Sequence, residues 1–315
     1  MAVLYFFQDI RNPFLDFFMA AITRLGEETV LVVLALLFLW CFDKHEGYYL
    51  LTVSFAGLLV NQFLKILCRV PRPWVRDPAF TIVEEAREAA TGYSFPSGHT
   101  QTSVGAYSAL GLWNKQKWFR GIMIALCVLV PVSRLYLGVH TLSDVLISAV
   151  IALSLSFLLY PLFRRLKEKP HLMYIPLAVL FAVGVAFLLY VELYTFPSDV
   201  DAHNLASAVE NAYKLLGSVL GFALLYFLDS RFFHYETRAP LLAQLIKIIV
   251  GAAIVLGIKS LLKQPLLSLC GGHGVANAVR YFLLFGVAGV CPLLFPYFTR
   301  FALFVQRRIK KEKSR

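Results

Sequence analysis

Residues 133–144 have the sequence SRLYLGVHTLSD, and they run from the end of one long apolar segment, residues 121–137, to the start of another, residues 145–163. Arginine, histidine and aspartate are costly at membrane depth and are rare there without a function. His140 and Asp144 are four positions apart, so both side chains share one face if the second segment starts as a helix. Asp144 can then accept the Nδ1 proton of His140 and leave Nε2 free. The stretch predicts two membrane helices joined at a polar, reactive turn.

The composition extends this interpretation to the whole chain. Hydrophobic residues make up 59% of the 315 residues, and the mean hydropathy is +0.69. A soluble globular domain does not need so many apolar residues. Several apolar runs approach the ~20 residues with which a helix crosses a bilayer. We therefore predict an all-α, polytopic membrane helix bundle with nine spans. The candidate spans are residues 29–42, 50–68, 98–113, 121–137, 145–163, 172–191, 213–228, 241–262 and 281–298.

The polar motifs divide the chain near residue 168. Residues 1–168 contain all of these motifs and are predicted to form a catalytic membrane domain. Its first part, residues 1–24, has apolar stretches interrupted by polar residues, which predicts an amphipathic helix lying in the membrane interface. Residues 169–306 contain four more spans and form an accessory transmembrane domain whose role is open. Residues 307–315 form a basic tail.

The basic residues that give the net charge of +11 are distributed in a way that indicates membrane orientation, so nucleic-acid binding is not predicted. Lysine and arginine concentrate in the loops at residues 113–120 and 163–171 and in the C-terminal tail. Alternating spans put these three segments on one side, which the positive-inside rule makes cytoplasmic. The compact loops favour a bacterial inner membrane. The polar motifs then lie together at the extracytoplasmic face.

A cationic motif, Lys65-x6-Arg72-Pro73, follows the second predicted span and reaches that face. Arg72 and Arg134 carry planar guanidinium groups that match phosphate oxygens, and Lys65 adds a point charge. Three cations can neutralise a phosphate, so no metal or other cofactor is required. The five cysteines lack metal-ligand spacing and are predicted to be small core residues.

A second histidine ends the motif Pro96-Ser97-Gly98-His99, which precedes the third predicted span. Unpaired backbone N–H groups at Ser97 and Gly98, where a loop enters a helix, favour an anion. Gly98 also allows a close approach of the backbone. His99 would then protonate the departing alkoxide after Nε2 of His140 attacks phosphorus, and it would later activate water.

Together the three motifs resemble, in order and internal spacing, the signature motifs of the type 2 phosphatidic acid phosphatase (PAP2) superfamily. This superfamily includes integral-membrane lipid phosphatases, glucose-6-phosphatase and the vanadium haloperoxidases, and the resemblance covers residues 61–163. It implies a nucleophilic His140, an orienting Asp144, a general acid at His99 and metal-independent activity. The residues that it implies for phosphate binding are Lys65, Arg72, Ser97, Gly98 and Arg134.

The resemblance predicts a membrane enzyme that hydrolyses a lipid phosphate or pyrophosphate through a phosphohistidine. A site at head-group depth suits an amphiphile, since its tail can stay in the bilayer. Two alternatives stay open: a phosphatase of the same fold acting on a soluble sugar phosphate, and a non-catalytic binder or transporter of lipid phosphates. The sequence does not separate phosphatidate, phosphatidylglycerol phosphate, sphingoid-base phosphate and polyprenyl diphosphate, and it leaves the oligomeric state open.

Other charged residues near the motifs are predicted to have no role in the reaction. Arg69 and Arg76 are interpreted as exposed loop charges. Asp199, Asp201 and His203 resemble a cation site only loosely and are predicted to belong to an outer loop.

Overall fold

The computed structural model describes residues 1–88 and 90–313, and these residues form helices and connecting loops without a β-strand. The all-α prediction is confirmed. The α-helices are α1 Ala2–Asp9, α2 Pro13–Arg24, α3 Glu28–Leu37, α4 Lys44–Cys68, α5 Pro73–Arg76, α6 Gly98–Trp113, α7 Lys117–Tyr136, α8 Leu142–Arg164, α9 Tyr174–Leu193, α10 Ala202–Leu228, α11 Leu241–Leu261, α12 Lys263–Cys270, α13 His273–Val290 and α14 Phe295–Lys313. Short π-helical turns follow α3 and α10, and the last two residues of the predicted basic tail lie outside the described residues.

Seven helical segments of the described chain are long and apolar enough to cross a membrane, and a bent pair would add an eighth. The protein is therefore a multi-pass integral membrane protein. The segments are Lys44–Arg76, Lys117–Tyr136, Leu142–Arg164, Pro170–Leu193, Ala202–Phe233, Leu241–Leu261 and His273–Ile309, with Pro13–Arg24 and Glu28–Phe42 as the bent pair. Four of them follow residue 168, which confirms the prediction of about four additional helices.

One of the nine predicted spans, the helix α6, is not among these segments of the described chain. This helix has only 16 residues, and Thr100, Gln101, Thr102 and Ser103 make its first half polar. All four side chains are buried. Because neighbouring helices cover α6, it does not need the apolar side chains of a lipid-facing helix.

The N-terminal segment forms two helices, whereas one amphipathic helix was predicted over residues 1–24. The side chain of Asn12 accepts a hydrogen bond from the backbone N–H of Leu15 at 3.0 Å and caps α2. Pro13 occupies the first helical position, where its missing N–H costs nothing. Cap and proline together start a new helix and separate α1 from α2.

The chain packs as two compact units. The first contains Met1–Val32 and Tyr49–Ala212, and the second contains Val33–Tyr48 and the described chain from Tyr213 onward. In the first unit, α6 packs mainly against α7 and α8. The second unit includes a buried ion pair of 3.0 Å between Lys44 and Asp229.

The packing units differ from the sequence-based division near residue 168. Helix α9 packs within the first unit, where the ring of Phe63 contacts the rings of Phe187 and Tyr190 at centroid distances of 5.9 and 5.3 Å. As a boundary between a catalytic and an accessory domain, residue 168 stays a prediction.

The turn between α7 and α8 depends on Gly138, which has a φ of +79°. A methyl group on Gly138 would lie 2.7 Å from Nη2 of Arg11. Arg11 holds this turn, because its Nε and Nη2 donate to the carbonyl of Tyr136 at 3.1 and 3.0 Å.

We expect Gly138→Ala to lower the free energy of unfolding by about 2 kcal/mol, because it combines backbone strain with a steric clash. Thermal melting in detergent measures the change. The control is Gly121→Ala in α7, since a methyl group there would meet no atom within 4 Å. Equal melting temperatures for the two variants would contradict this account of the turn.

Candidate active site

Lys65 and Arg72 are both buried at the end of α4 and in the following loop. The Nζ of Lys65 donates a hydrogen bond to the carbonyl of Tyr93. Arg72 donates from Nε to Gly92 O at 3.1 Å and from Nη2 to Thr91 O at 2.6 Å. The carbonyls of residues 91–93 therefore hold both cations in place.

Arg72 also fixes the tautomer of His140. Its Nη1 lies 3.0 Å from Nε2 of His140 and 2.9 Å from the carbonyl of Val139. A guanidinium group only donates hydrogen bonds, so Nε2 is the acceptor and the ring proton is on Nδ1. The Nε2 lone pair of a histidine that is 2% exposed thus faces a cation.

The Nδ1 of His140 faces Asp144, although His140 precedes Thr141, the N-cap of α8, and therefore does not share a helix with Asp144 as was predicted. Nδ1 and Oδ2 are 3.6 Å apart, which is too long for a hydrogen bond. Oδ2 instead accepts from Oγ of Ser94 at 2.6 Å and from the backbone N–H of Thr141 at 2.8 Å. Asp144 is therefore a fixed, buried acceptor beside the protonated nitrogen of His140.

Sequence reasoning missed both of these partners of Asp144. Thr141 and Asp144 form a capping box at the start of α8, in which Thr141 Oγ1 accepts from Asp144 N at 3.4 Å. A threonine three positions before an acidic residue is a recognisable sequence signal for this cap. Ser94 had no such signal, because only the fold brings it to Asp144.

The start of α6 is joined to the start of α8. The backbone N–H of Ser97 donates to the carbonyl of Asp144 at 3.2 Å. The Oγ of Ser97 accepts from the backbone N–H of Thr100 at 3.4 Å, so Ser97 is the N-cap of α6. Gly98 and His99 are the next two residues, which places the predicted anion-binding loop beside the His140 turn.

Arg134 occupies the last turn of α7 and is almost completely buried. Its Nη1 donates to Oγ1 of Thr23 on α2 at 2.8 Å, while Nε has no hydrogen-bond partner in the described part of the chain. Thr23 is another residue that sequence reasoning missed, since a single threonine in an amphipathic segment carries no signal.

The pKa of His140 depends on residues from all three motifs. Burial lowers its pKa well below the usual range, and the charges of Arg72, Arg134 and Lys65 and the ring of His99 lower it further. His140 is therefore neutral in the protein at neutral pH. Groups from all three motifs act on this one ring, so the motifs converge around it.

A cavity of about 570 Å³ in the first unit has Arg72 in its wall. Arg69, Asp199, Asp201 and His203 line it as well. These residues were predicted to be loop charges without a role, and the structure places them beside the phosphate-binding candidate. Their separation in sequence, roughly 130 positions, left no pattern to detect.

The cysteines Cys41, Cys68, Cys127, Cys270 and Cys291 are all free thiols. Among residues 1–88 and 90–313, no group of three or more His, Cys, Asp or Glu side chains is arranged to hold a metal ion. Metal independence stays a prediction, which an assay with a chelator tests.

The fold and this cluster define a class of protein. A helical membrane protein that groups two histidines, a carboxylate and three buried cations is suited to phosphoryl chemistry, which depends on positioning and charge stabilisation.

Comparison with known protein families supports a phosphatase of this class. Residues 46–168 match the PAP2 superfamily, and residues 213–302 match the transmembrane extension of PAP2 superfamily phosphatases. The chain belongs to the PAP2 superfamily and is a phosphoric ester or diphosphate hydrolase.

Several curated proteins are similar to the chain. Undecaprenyl-diphosphatase BcrC of Bacillus subtilis (strain 168) is 32% identical over 154 residues, which are 47% of this chain and 75% of that protein. Phosphatidylglycerophosphatase B of the same organism is 30% identical over 50% of this chain and 80% of its own length. Lipid A 4'-phosphatase of Bacteroides thetaiotaomicron is 29% identical over 53% of this chain and 78% of its own length. No solved structure matches the chain.

Proposed function

We propose that the protein hydrolyses a lipid phosphate or pyrophosphate through a phosphohistidine formed on His140, without a metal ion. The observation that carries the proposal is the 3.0 Å contact between Arg72 Nη1 and His140 Nε2. A cation that only donates lies at the one nitrogen with a free lone pair. A phosphoryl group bound by Arg72 would therefore meet the nucleophile directly.

The proposed reaction gives each of these groups a separate step. Nε2 of His140 attacks phosphorus and breaks its bond to the leaving oxygen, while His99 gives that oxygen its proton. Burial and the charges of Arg134, Arg72 and Lys65 lower the pKa of His99 to about 2 in the free protein, so His99 acquires this proton only once a negatively charged substrate is bound. Asp144 stabilises the positive charge that develops on the His140 ring. Water then attacks the phosphohistidine, His99 takes one of its protons, and inorganic phosphate leaves. Lys65, Arg72 and Arg134 bind the phosphoryl oxygens, and Ser97 and Gly98 contribute the backbone of the α6 start.

A lipid substrate is favoured over a soluble sugar phosphate by the surroundings of α2. Thr23 of α2 contacts Arg134 of the site. Phe14 and Phe17 of the same helix are 75% and 76% exposed, which suits contact with acyl chains. The names of the three relatives above also describe phosphatases of lipid-linked phosphates. The shared chemistry is a phosphate attached to a membrane-anchored tail.

We further propose that the site faces the extracytoplasmic side of a bacterial inner membrane and that the C-terminus is cytoplasmic. Support comes from the basic loops at residues 113–120 and 163–171, which lie at the opposite ends of α6, α7 and α8 from the His140 turn.

Phosphate release in the presence of EDTA tests the proposal. Purified protein in detergent should release phosphate from a short-chain phosphatidate at least roughly 10-fold faster than from glucose 6-phosphate, because a bound tail contributes binding energy to the reaction. The measurement is colorimetric phosphate release, and protein boiled before the assay is the blank.

The alternatives predict different results. Equal rates on both substrates would favour a soluble sugar phosphate as the substrate. Binding of the lipid without release would favour a non-catalytic binder or transporter. Activity that EDTA abolishes and Mg²⁺ restores would contradict the metal-independent mechanism. A panel of diacyl, sphingoid and polyprenyl substrates then identifies the preferred tail.

A further inference from the structure

Buried polar atoms without hydrogen-bond partners concentrate near the proposed site. Within the described residues, most such side-chain atoms belong to Asn61, Thr100, Gln101, Arg134, His140 and Asp144. An unsatisfied buried polar group costs about 1–3 kcal/mol, so proteins usually provide a partner, a water molecule or a ligand. Three of these six residues, Asn61, Thr100 and Gln101, have no role in the reaction described above.

Asn61 stands out among them. Its side chain is 0% exposed, and both Oδ1 and Nδ2 lack a partner in the described chain. It lies on α4 one helical turn before Lys65 and therefore on the same face. A methyl group on Gly98, the first residue of α6, would lie 3.8 Å from its Oδ1. The carboxamide is thus directed at the start of α6, on the face of α4 that also carries Lys65.

The start of α6 has donors of its own. Among the hydrogen bonds of the described chain, none is donated by the backbone N–H groups of Gly98 and His99. The backbone N–H groups are on α6, whereas Lys65 and the Asn61 amide are on one face of α4, and Asn61 lies next to Gly98. Such a set of donors fits the oxygens of a phosphoryl group.

We infer that Asn61 is a further phosphate-contacting residue, whose Nδ2 donates a hydrogen bond to a phosphoryl oxygen. This inference rests on the proposed function and adds to it a donor from α4. The amide that lacks a hydrogen-bond partner in the described chain then gains one when substrate binds, which offsets the cost of burying it.

Gln101 is the other amide without a hydrogen-bond partner in the described residues, and it lies further from Lys65 along α4 than Asn61 does. A methyl group on Gly57 would lie 2.7 Å from its Nε2, and Gly57 is one turn before Asn61 on α4. Gln101 is therefore roughly one helical turn, about 5 Å, further from Lys65 than Asn61 is. It is too deep to share the phosphate with Lys65, so the contact is assigned to Asn61 alone.

The test replaces Asn61 by leucine, which has a similar shape and no polar atoms. We expect kcat/KM for a short-chain lipid phosphate to fall roughly 10- to 100-fold, as for the loss of one hydrogen bond to a charged group. Inorganic phosphate should raise the melting temperature of the parent and should raise that of Asn61→Leu much less. Without phosphate the variant should melt no lower than the parent, because it removes an unsatisfied buried amide.

The matched control is Gln62→Leu. Gln62 is the adjacent amide on α4, but its Oε1 accepts a hydrogen bond from Nδ2 of Asn211 at 3.1 Å. This control should keep the kcat/KM and the phosphate-induced shift of the parent. Asn61→Asp guards against misfolding, since it keeps the shape of asparagine while its carboxylate repels phosphate and should also abolish the shift.

Two outcomes would overturn the inference. In one, Asn61→Leu retains the phosphate-induced shift and kcat/KM of the parent. In the other, it melts several degrees lower without phosphate and keeps the full shift, which is the behaviour of a structural residue. If the parent releases no phosphate from any lipid but shows a shift that Asn61→Leu loses, the contact stands and the proposed function fails.

Discussion

Replacement of His140 by asparagine should reduce kcat for phosphate release by at least roughly 10³-fold, because the variant lacks the nucleophile. Asparagine is a suitable replacement, since its Nδ2 can take the place of the protonated Nδ1 that faces Asp144 at 3.6 Å. It has no atom at the position of Nε2, which contacts Arg72. The variant should therefore fold, bind phosphate and fail to form a covalent intermediate.

Rapid quenching with radiolabelled substrate measures that intermediate directly. The parent should retain acid-labile label on the protein, as expected for a phosphorus–nitrogen bond, and His140→Asn should retain none. The control is His171→Asn, because His171 is exposed on a short 3-10 helix between α8 and α9. Phosphate release by His140→Asn at the rate of the parent would exclude the nucleophilic role of this histidine.

The motif residues could be recognised from the sequence because their charge conflicts with their apolar surroundings. Lys65, Arg72, Arg134 and the two histidines stand out at the ends of hydrophobic segments, where polar side chains need a reason. The i, i+4 spacing of His140 and Asp144 predicted that the two side chains meet, although it placed both on one helix and His140 precedes the start of α8. In the structure Nδ1 does face Asp144, although Asp144 forms its hydrogen bonds with other groups.

The uncharged polar residues could not be recognised in the same way. Ser94, Thr23 and Asn61 are residue types that occur in many helices and loops without any function. Ser94 reaches Asp144 across 50 positions of sequence, and Thr23 reaches Arg134 across 111. Contacts of this kind depend on how the helices pack, and no local period or spacing encodes them.

The helices of the fold were also only partly predictable from the sequence. Hydropathy identifies helices that face lipid, and it identified the four after residue 168. It is a poor guide to α6, where protein contacts replace lipid contacts and polar side chains are tolerated. The break between α1 and α2 was within reach of the sequence, since Asn12 followed by Pro13 is a typical start of a helix.

The second large effect is expected for Asp144→Asn, which should lower kcat by roughly 10²- to 10⁴-fold. The amide oxygen can still accept from Ser94 and from the backbone N–H of Thr141, so the local geometry is kept. What the variant loses is the negative charge beside Nδ1 of His140. That charge stabilises the ring as it becomes positive on attack, and it offsets the nearby cations Lys65 and Arg72.

Thr141→Ala separates the charge of Asp144 from its part in capping α8. This variant loses the hydroxyl that accepts from the backbone N–H of Asp144 at 3.4 Å, and it keeps the carboxylate. It should lower stability by about 1 kcal/mol, the usual cost of a lost cap, with a change in kcat far smaller than that of Asp144→Asn. If both variants instead reduced melting temperature and kcat in parallel, Asp144 would serve α8 as a cap and would have no direct part in the chemistry at His140. A large fall in kcat at an unchanged melting temperature, restricted to Asp144→Asn, would assign the effect to the charge itself.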